Sequence, residues 1–172
     1  MTWPEHVTVA VNVSPKQLLD RERLPRAIAA TLSSTGLPAQ RLEIEITESA
    51  LMREAEALAL LTDIRRMGVS VSMDDFGTGY SSLSQLRRFP FNTLKIDRSF
   101  VRDLGGSDEA DAVVRAIAAL GKSLGMTTIA EGVETADQEA RCRADGCTSI
   151  QGYLVSRPVP AGDVAALIQK LA

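Results

Sequence analysis

Two adjacent carboxylates, Asp74 and Asp75, close an apolar run and open onto a glycine-punctuated stretch, Phe76-Gly77-Thr78-Gly79-Tyr80-Ser81-Ser82. Adjacent aspartates can share two divalent cations about 4 Å apart, a spacing that activates a water and stabilises the leaving oxygen of a phosphodiester. Gly77 and Gly79 permit positive φ and a close approach of N–H groups to a ligand, and Thr78, Ser81 and Ser82 add hydroxyls. Such a loop suits a phosphate held beside metal ions. Taken alone, it reads equally as a polar turn with a solvated acidic pair.

Other residues supply matching chemistry. Asn12, Glu45 and Glu131 join the two aspartates as hard oxygen donors, a set that suits Mg²⁺ or Mn²⁺ over zinc or copper. Lys95 would add positive charge near an attacked phosphate or hold a water, with charge balance among carboxylates as the alternative. Glu131 is a metal ligand or a general base. Glu48 and Glu134, each three residues beyond an inner glutamate, read as residues that orient loops, or else as surface residues at helix starts. Gln151 can hydrogen-bond in a site or be satisfied as a core amide.

The elements that must position these groups are legible as alternating strands and helices. Val7 to Val13 alternates as a strand ending near Asn12, and Ser14 with Gln17 forms a capping box with Pro15 at the first helical position. A helix over about Leu24 to Ser34 closes at Gly36. Leu42 to Thr47 is a strand with Glu43, Glu45 and Thr47 on one face. A helix from about Ser49 to Met67 carries the apolar stripe Leu51, Ala55, Leu58, Leu61 and Ile64, and Gly68 caps it. Val69 to Asp74 is a strand, Ser81 to Arg88 a short helix, and Thr93 to Asp97 a strand. Ser107 caps a helix with Asp108, Glu109 and Asp111 in its first turn. Thr127 to Glu131 is a strand, Thr135 and Gln138 box the next helix, and Cys147 to Gly152 is the last strand. A helix over Gly162 to Leu171 follows.

Strand and helix thus alternate six times, with crossovers long enough to demand a parallel sheet. Asn12, Glu45, Asp74, Asp75, Lys95, Asp97, Glu131 and Gln151 all fall at or near C-terminal strand ends, which in a (β/α)₈ barrel converge on one mouth. A doubly wound open sheet usually concentrates its chemistry at one switch point.

Composition narrows the classes. The 172 residues are 45% hydrophobic and 24% charged, enough for one sizeable core. A net charge of -3 and a pI near 5.3 argue against a duplex nucleic acid partner and leave room for a small anion bound through metal ions. No apolar run spans a bilayer and no leader precedes the first strand, so a cytoplasmic location is expected. Cys142 and Cys147 lack a metal-ligand framework with the single His6, and both read as reduced structural residues.

In order and spacing, Val11-Asn12-Val13-Ser14, Glu43 to Ser49, Asp74 to Leu83, Leu94-Lys95-Ile96-Asp97, Ala130 to Glu134 and Gln151-Gly152-Tyr153 resemble the EAL domain family across essentially the whole chain. Those domains are cyclic di-GMP phosphodiesterases, modified (β/α)₈ barrels that hydrolyse the cyclic dinucleotide to linear pGpG with Mg²⁺ or Mn²⁺. The resemblance implies metal ligation by Asn12, Glu45, Asp74 and Asp75, water positioning by Lys95 and catalysis by Glu131. Glu48 and Glu134 match residues that hold the glycine loop, Gln151 matches a site-lining residue, and Phe76, Gly77, Thr78 and Gly79 belong to a loop tied to metal binding and dimer contacts. Asp97 ends the matching Lys-Ile-Asp strand.

The Glu-Ala-Leu tripeptide that names the family is absent, and with it one expected metal ligand. A barrel of this class takes about 250 residues, so the expectation is a partial EAL-like domain over residues 1–172, with residues 1–6 a linker or disordered start. It would be an incomplete TIM-like barrel lacking two strands, its open edges covered in a dimer or higher homo-oligomer or avoided by a rearranged sheet. A fused sensor or GGDEF cyclase domain in a longer parent fits a signal-transduction role. The functional expectation is a cyclic di-GMP phosphodiesterase with a two-metal site short of one ligand. The alternatives are a catalytically inactive cyclic di-GMP receptor or interaction module and another Mg²⁺-dependent barrel enzyme such as a lyase.

Overall fold

The computed structural model describes residues 3–52, 54–79 and 83–171, so the expectations for Tyr80, Ser81 and Ser82 lie outside the described residues. Six strands form one sheet: β1 (Val9–Asn12), β2 (Leu42–Thr47), β3 (Ser70–Phe76), β4 (Thr93–Ile96), β5 (Thr127–Glu131) and β6 (Ser149–Gln151). Their spatial order is their chain order and every pair is parallel. That winding never reverses, so there is no switch point of the doubly wound kind. Right-handed crossovers then put every connecting helix on one side of the sheet, and the sheet curls as part of a barrel.

The helices are α1 (Pro15–Leu18), α2 (Arg23–Thr35), α3 (Glu54–Arg66), α4 (Leu83–Arg88), α5 (Arg98–Arg102), α6 (Asp108–Ser123), α7 (Ala136–Ala144) and α8 (Val164–Leu171). Local chemistry sets their ends. Ser14 and Thr135 make the two expected capping boxes, and Ser107 accepts from Ala110 N–H ahead of an acidic first turn. Among the described residues, no helix is long and apolar enough to cross a membrane.

Strand alternation divides the sheet into two chemically distinct faces. Ile44, Ile46, Val71, Met73, Leu94, Ile96 and Ala130 are buried on the helix side against Leu60, Leu61 and Ile64 of α3 and Val114, Ile117 and Ala118 of α6. Burial of each large aliphatic side chain contributes roughly 1.5–3 kcal/mol. The opposite face carries Glu43, Glu45, Ser72, Asp74, Thr93 and Lys95, with Ser72 Oγ donating to the Ile44 carbonyl and Thr93 Oγ1 to Glu43 Oε2. Burial is complete along β4 and fades toward the edges, where Val11 of β1 is 46% exposed.

Two expectations need correction. Ala55 is exposed, and the buried stripe of α3 is Ala57, Leu60, Leu61 and Ile64. The cause lies within α3, where about 100° per residue puts Ala55 roughly 200° round the helix from Ala57, away from the stripe. The first strand is also shorter than its alternation suggests, although Val13 beyond it is buried and its N–H donates to the Glu45 carbonyl.

Candidate active site

The site forms where the C-terminal ends of β2 to β5 meet. Lys95 lies at its centre, 3% exposed, with its Nζ 2.7 Å from Glu45 Oε1, 2.9 Å from Asp74 Oδ1 and 2.7 Å from Glu131 Oε1. Burial disfavours a charged lysine, but hydrogen bonds to Glu131, Glu45 and Asp74 outweigh it and raise its pKa above that of a free lysine. Glu131 moves upward as well, because burial exceeds the attraction of Lys95 and the nearby Asp74 and Asp75 charges add to it.

Adjacent residues of a regular strand face opposite sides, yet Asp74, Asp75 and Glu131 offer carboxylate oxygens that all lie within 4.8 Å of one another. A register shift explains this. Met73 pairs with Leu94 and Phe76 with Ile96, so Asp74 and Asp75 together oppose Lys95 alone. Asp75 also takes φ +54, a left-handed conformation that aspartate tolerates better than most residues. The bulge turns both carboxylates into one mouth. Burial and the charges of Asp74 and Asp97 push the Asp75 pKa up.

The surrounding groups hold this arrangement. The buried Glu48 accepts a hydrogen bond from Gly79 N–H at 3.2 Å, and a Cβ on Gly79 would lie 2.9 Å from its carboxyl carbon. Thr78 Oγ1 donates to the Asp75 carbonyl at 2.9 Å, closing the turn, and Phe76 is buried beneath it. Asp97 caps α5 by accepting from Ser99 N–H at 2.9 Å, and its charge bears on Asp75. Burial would raise its pKa, but the hydrogen bonds from Ser99 prevail and lower it.

Beside the carboxylates, a cleft of about 450 Å³ lined by Asp75, Thr78, Glu131 and Gln151 shares Asp97, Arg98, Gly132 and Gln151 with a larger one of about 690 Å³. Gln151 is exposed into this space, against the reading of a core amide. Glu134 is exposed at the far lip, its N–H donating to Gln138 Oε1. Asn12 is exposed at the end of β1, opposite Glu45 in register and to the side of the lysine cluster. Arg98 escaped notice in the sequence. It lines both clefts from a five-residue helix too short to give a periodic signal.

A divalent cation fits this donor set. The oxygens are hard, four carboxylates face one ammonium, and those of Asp74, Asp75 and Glu131 converge within 4.8 Å of one another. Six parallel strands with acidic groups at their C-terminal ends make a TIM-barrel type of site that is a candidate for metal binding. The chain belongs to the EAL domain family, whose model matches residues 1–158.

Similar proteins agree in name and fold. Cyclic di-GMP phosphodiesterase NbdA of Pseudomonas aeruginosa is 45% identical over 157 residues, which are 91% of this chain and 20% of NbdA. The structure of the PaMucR phosphodiesterase in complex with c-di-GMP superposes with a TM-score of 0.85 at 42% identity, over 91% of this chain and 64% of that one. The manganese and cyclic di-GMP complex of Klebsiella pneumoniae BlrP1 at pH 9.0 gives a TM-score of 0.82 at 33% identity, over 88% of this chain and 39% of that one. The chain therefore spans about a fifth of the length of NbdA.

Proposed function

We propose that this chain is a phosphodiesterase domain that hydrolyses cyclic di-GMP to linear pGpG with Mg²⁺ or Mn²⁺. The observation that carries the reading is the convergence of Glu45, Asp74, Asp75 and Glu131 around Lys95 in a chain of the EAL domain family. Asn12, Glu45, Asp74 and Asp75 would hold the cation, which when bound supplies Lewis acidity and a water of lowered pKa. Lys95 stays protonated amid its three carboxylates and sets a positive charge beside the attacking water. Glu131, the carboxylate with raised proton affinity beside that ammonium, is the group suited to hold a proton during attack. Glu48 fixes the Gly77–Gly79 turn, and Asp97, Glu134 and Gln151 border the cleft that admits the dinucleotide.

The exposed edges β1 and β6 support a homo-oligomer that covers them, and the short span relative to NbdA supports a longer cytoplasmic signalling protein with a fused sensor or GGDEF domain. Incubation of the purified chain with cyclic di-GMP and Mn²⁺, followed by chromatography, tests the activity. The expected result is pGpG from the native chain and none from a folded Asp74→Asn variant. Saturable dinucleotide binding without turnover would replace the enzyme by a receptor, and neither binding nor turnover would reject both readings.

A further inference from the structure

The two cysteines form a built pair. Helix α7 ends at the left-handed Gly146 (φ +95), whose N–H donates to the Arg143 carbonyl at 3.1 Å, while Cys147 N–H reaches back to the Cys142 carbonyl at 2.9 Å. Those two bonds define a Schellman cap, in which the residues that flank the turn bring their side chains into contact. Here those residues are Cys142 and Cys147, both free thiols and both buried. In most caps of this type the contact is an inert apolar pair. Two sulfurs give it chemistry.

We propose that Cys142 and Cys147 are a reversible dithiol modification site that a peroxide converts to an intramolecular disulfide. Either cysteine, as its thiolate, is the nucleophile. Its thiolate attacks the peroxide O–O bond and becomes a sulfenic acid, and the displaced hydroxide takes up the thiol's proton as water. The second cysteine's sulfur then attacks the sulfenic sulfur, its own proton leaving with the expelled hydroxyl as a second water. Each cysteine sulfur loses one electron, and the peroxide takes up both. Access comes through local opening of the last turn of α7, in which Cys142 is the one buried side chain of a nine-residue helix. The bridge would tie α7 to the strand that ends at Gln151.

The test is independent of catalysis. The folded full chain is treated with hydrogen peroxide, and its free thiols, its intact mass and its electrophoretic mobility with and without reductant are followed. The expected result is loss of both thiols together, a mass lower by two hydrogens, a monomeric band and complete reversal by dithiothreitol. Cys147→Ala, which lacks the second sulfur, is expected to gain oxygen atoms at Cys142 in place of losing hydrogen. Oxygen addition or cross-linked dimers in the native chain would overturn the proposal, as would thiols that react only after the chain unfolds.

Discussion

Lys95 and its carboxylates depend on one another. Removing the ammonium in Lys95→Met would leave Glu45, Asp74 and Glu131 crowded and buried without a counter-charge, and breaking a buried ion pair in this way costs roughly 3–5 kcal/mol. Urea unfolding should show that loss, with part of it recovered on addition of Mn²⁺. Asp75 behaves in the opposite sense. Its folded pKa is raised above its ordinary 3.8, so the fold favours protonated Asp75; that contribution is complete below about pH 3.8 and is lost as pH rises through the folded value. At neutral pH the metal-free chain carries the full penalty of the ionised group. Asp75→Asn, which accepts the same left-handed backbone, should therefore raise the melting temperature at pH 7 without metal and converge on the native chain below about pH 3.8.

Elements place these residues through two devices of unequal legibility. Strand alternation and helix caps were readable, because Glu43, Glu45 and Thr47 repeat every second residue and Ser14, Ser107 and Thr135 sit where caps belong. The bulge at Asp74 and Asp75 was not readable. It arises from pairing between β3 and β4, and no local pattern in β3 encodes what the neighbouring strand opposes to it. The exposure of Ala55 differs in character, since helical spacing alone puts it on the side of α3 away from Ala57, Leu61 and Ile64. Loop packing yields two graded predictions. Thr135→Ala removes one cap of α7 and should cost about 1 kcal/mol by thermal unfolding. Gly152→Ala would place a methyl group on the Val133 main chain, in the loop that follows Glu131, where no side chain can swing aside. It should destabilise the fold more than Thr135→Ala does and weaken Mn²⁺ binding as well.

At the scale of the molecule, a sheet wound in one direction gathers the C-terminal ends of its strands, and that topology assembles the site from residues as distant in sequence as Glu45 and Glu131. Six motifs in register made the family legible from the chain alone. The site's electrostatics were not, because Lys95 among carboxylates reads as catalyst or as counter-ion until its three contacts are seen. The edges complete the picture, with buried central strands giving way to the exposed β1 and β6. The central claim is that the carboxylates gathered at this mouth form a divalent-cation site. Titration of the native chain and of Asp74→Asn with Mn²⁺, followed by the electron paramagnetic resonance of the free ion, tests it most directly. Saturable binding by the native chain and its loss in a variant with an unchanged circular dichroism spectrum is the predicted result; equal binding by both chains, or none by either, would contradict it.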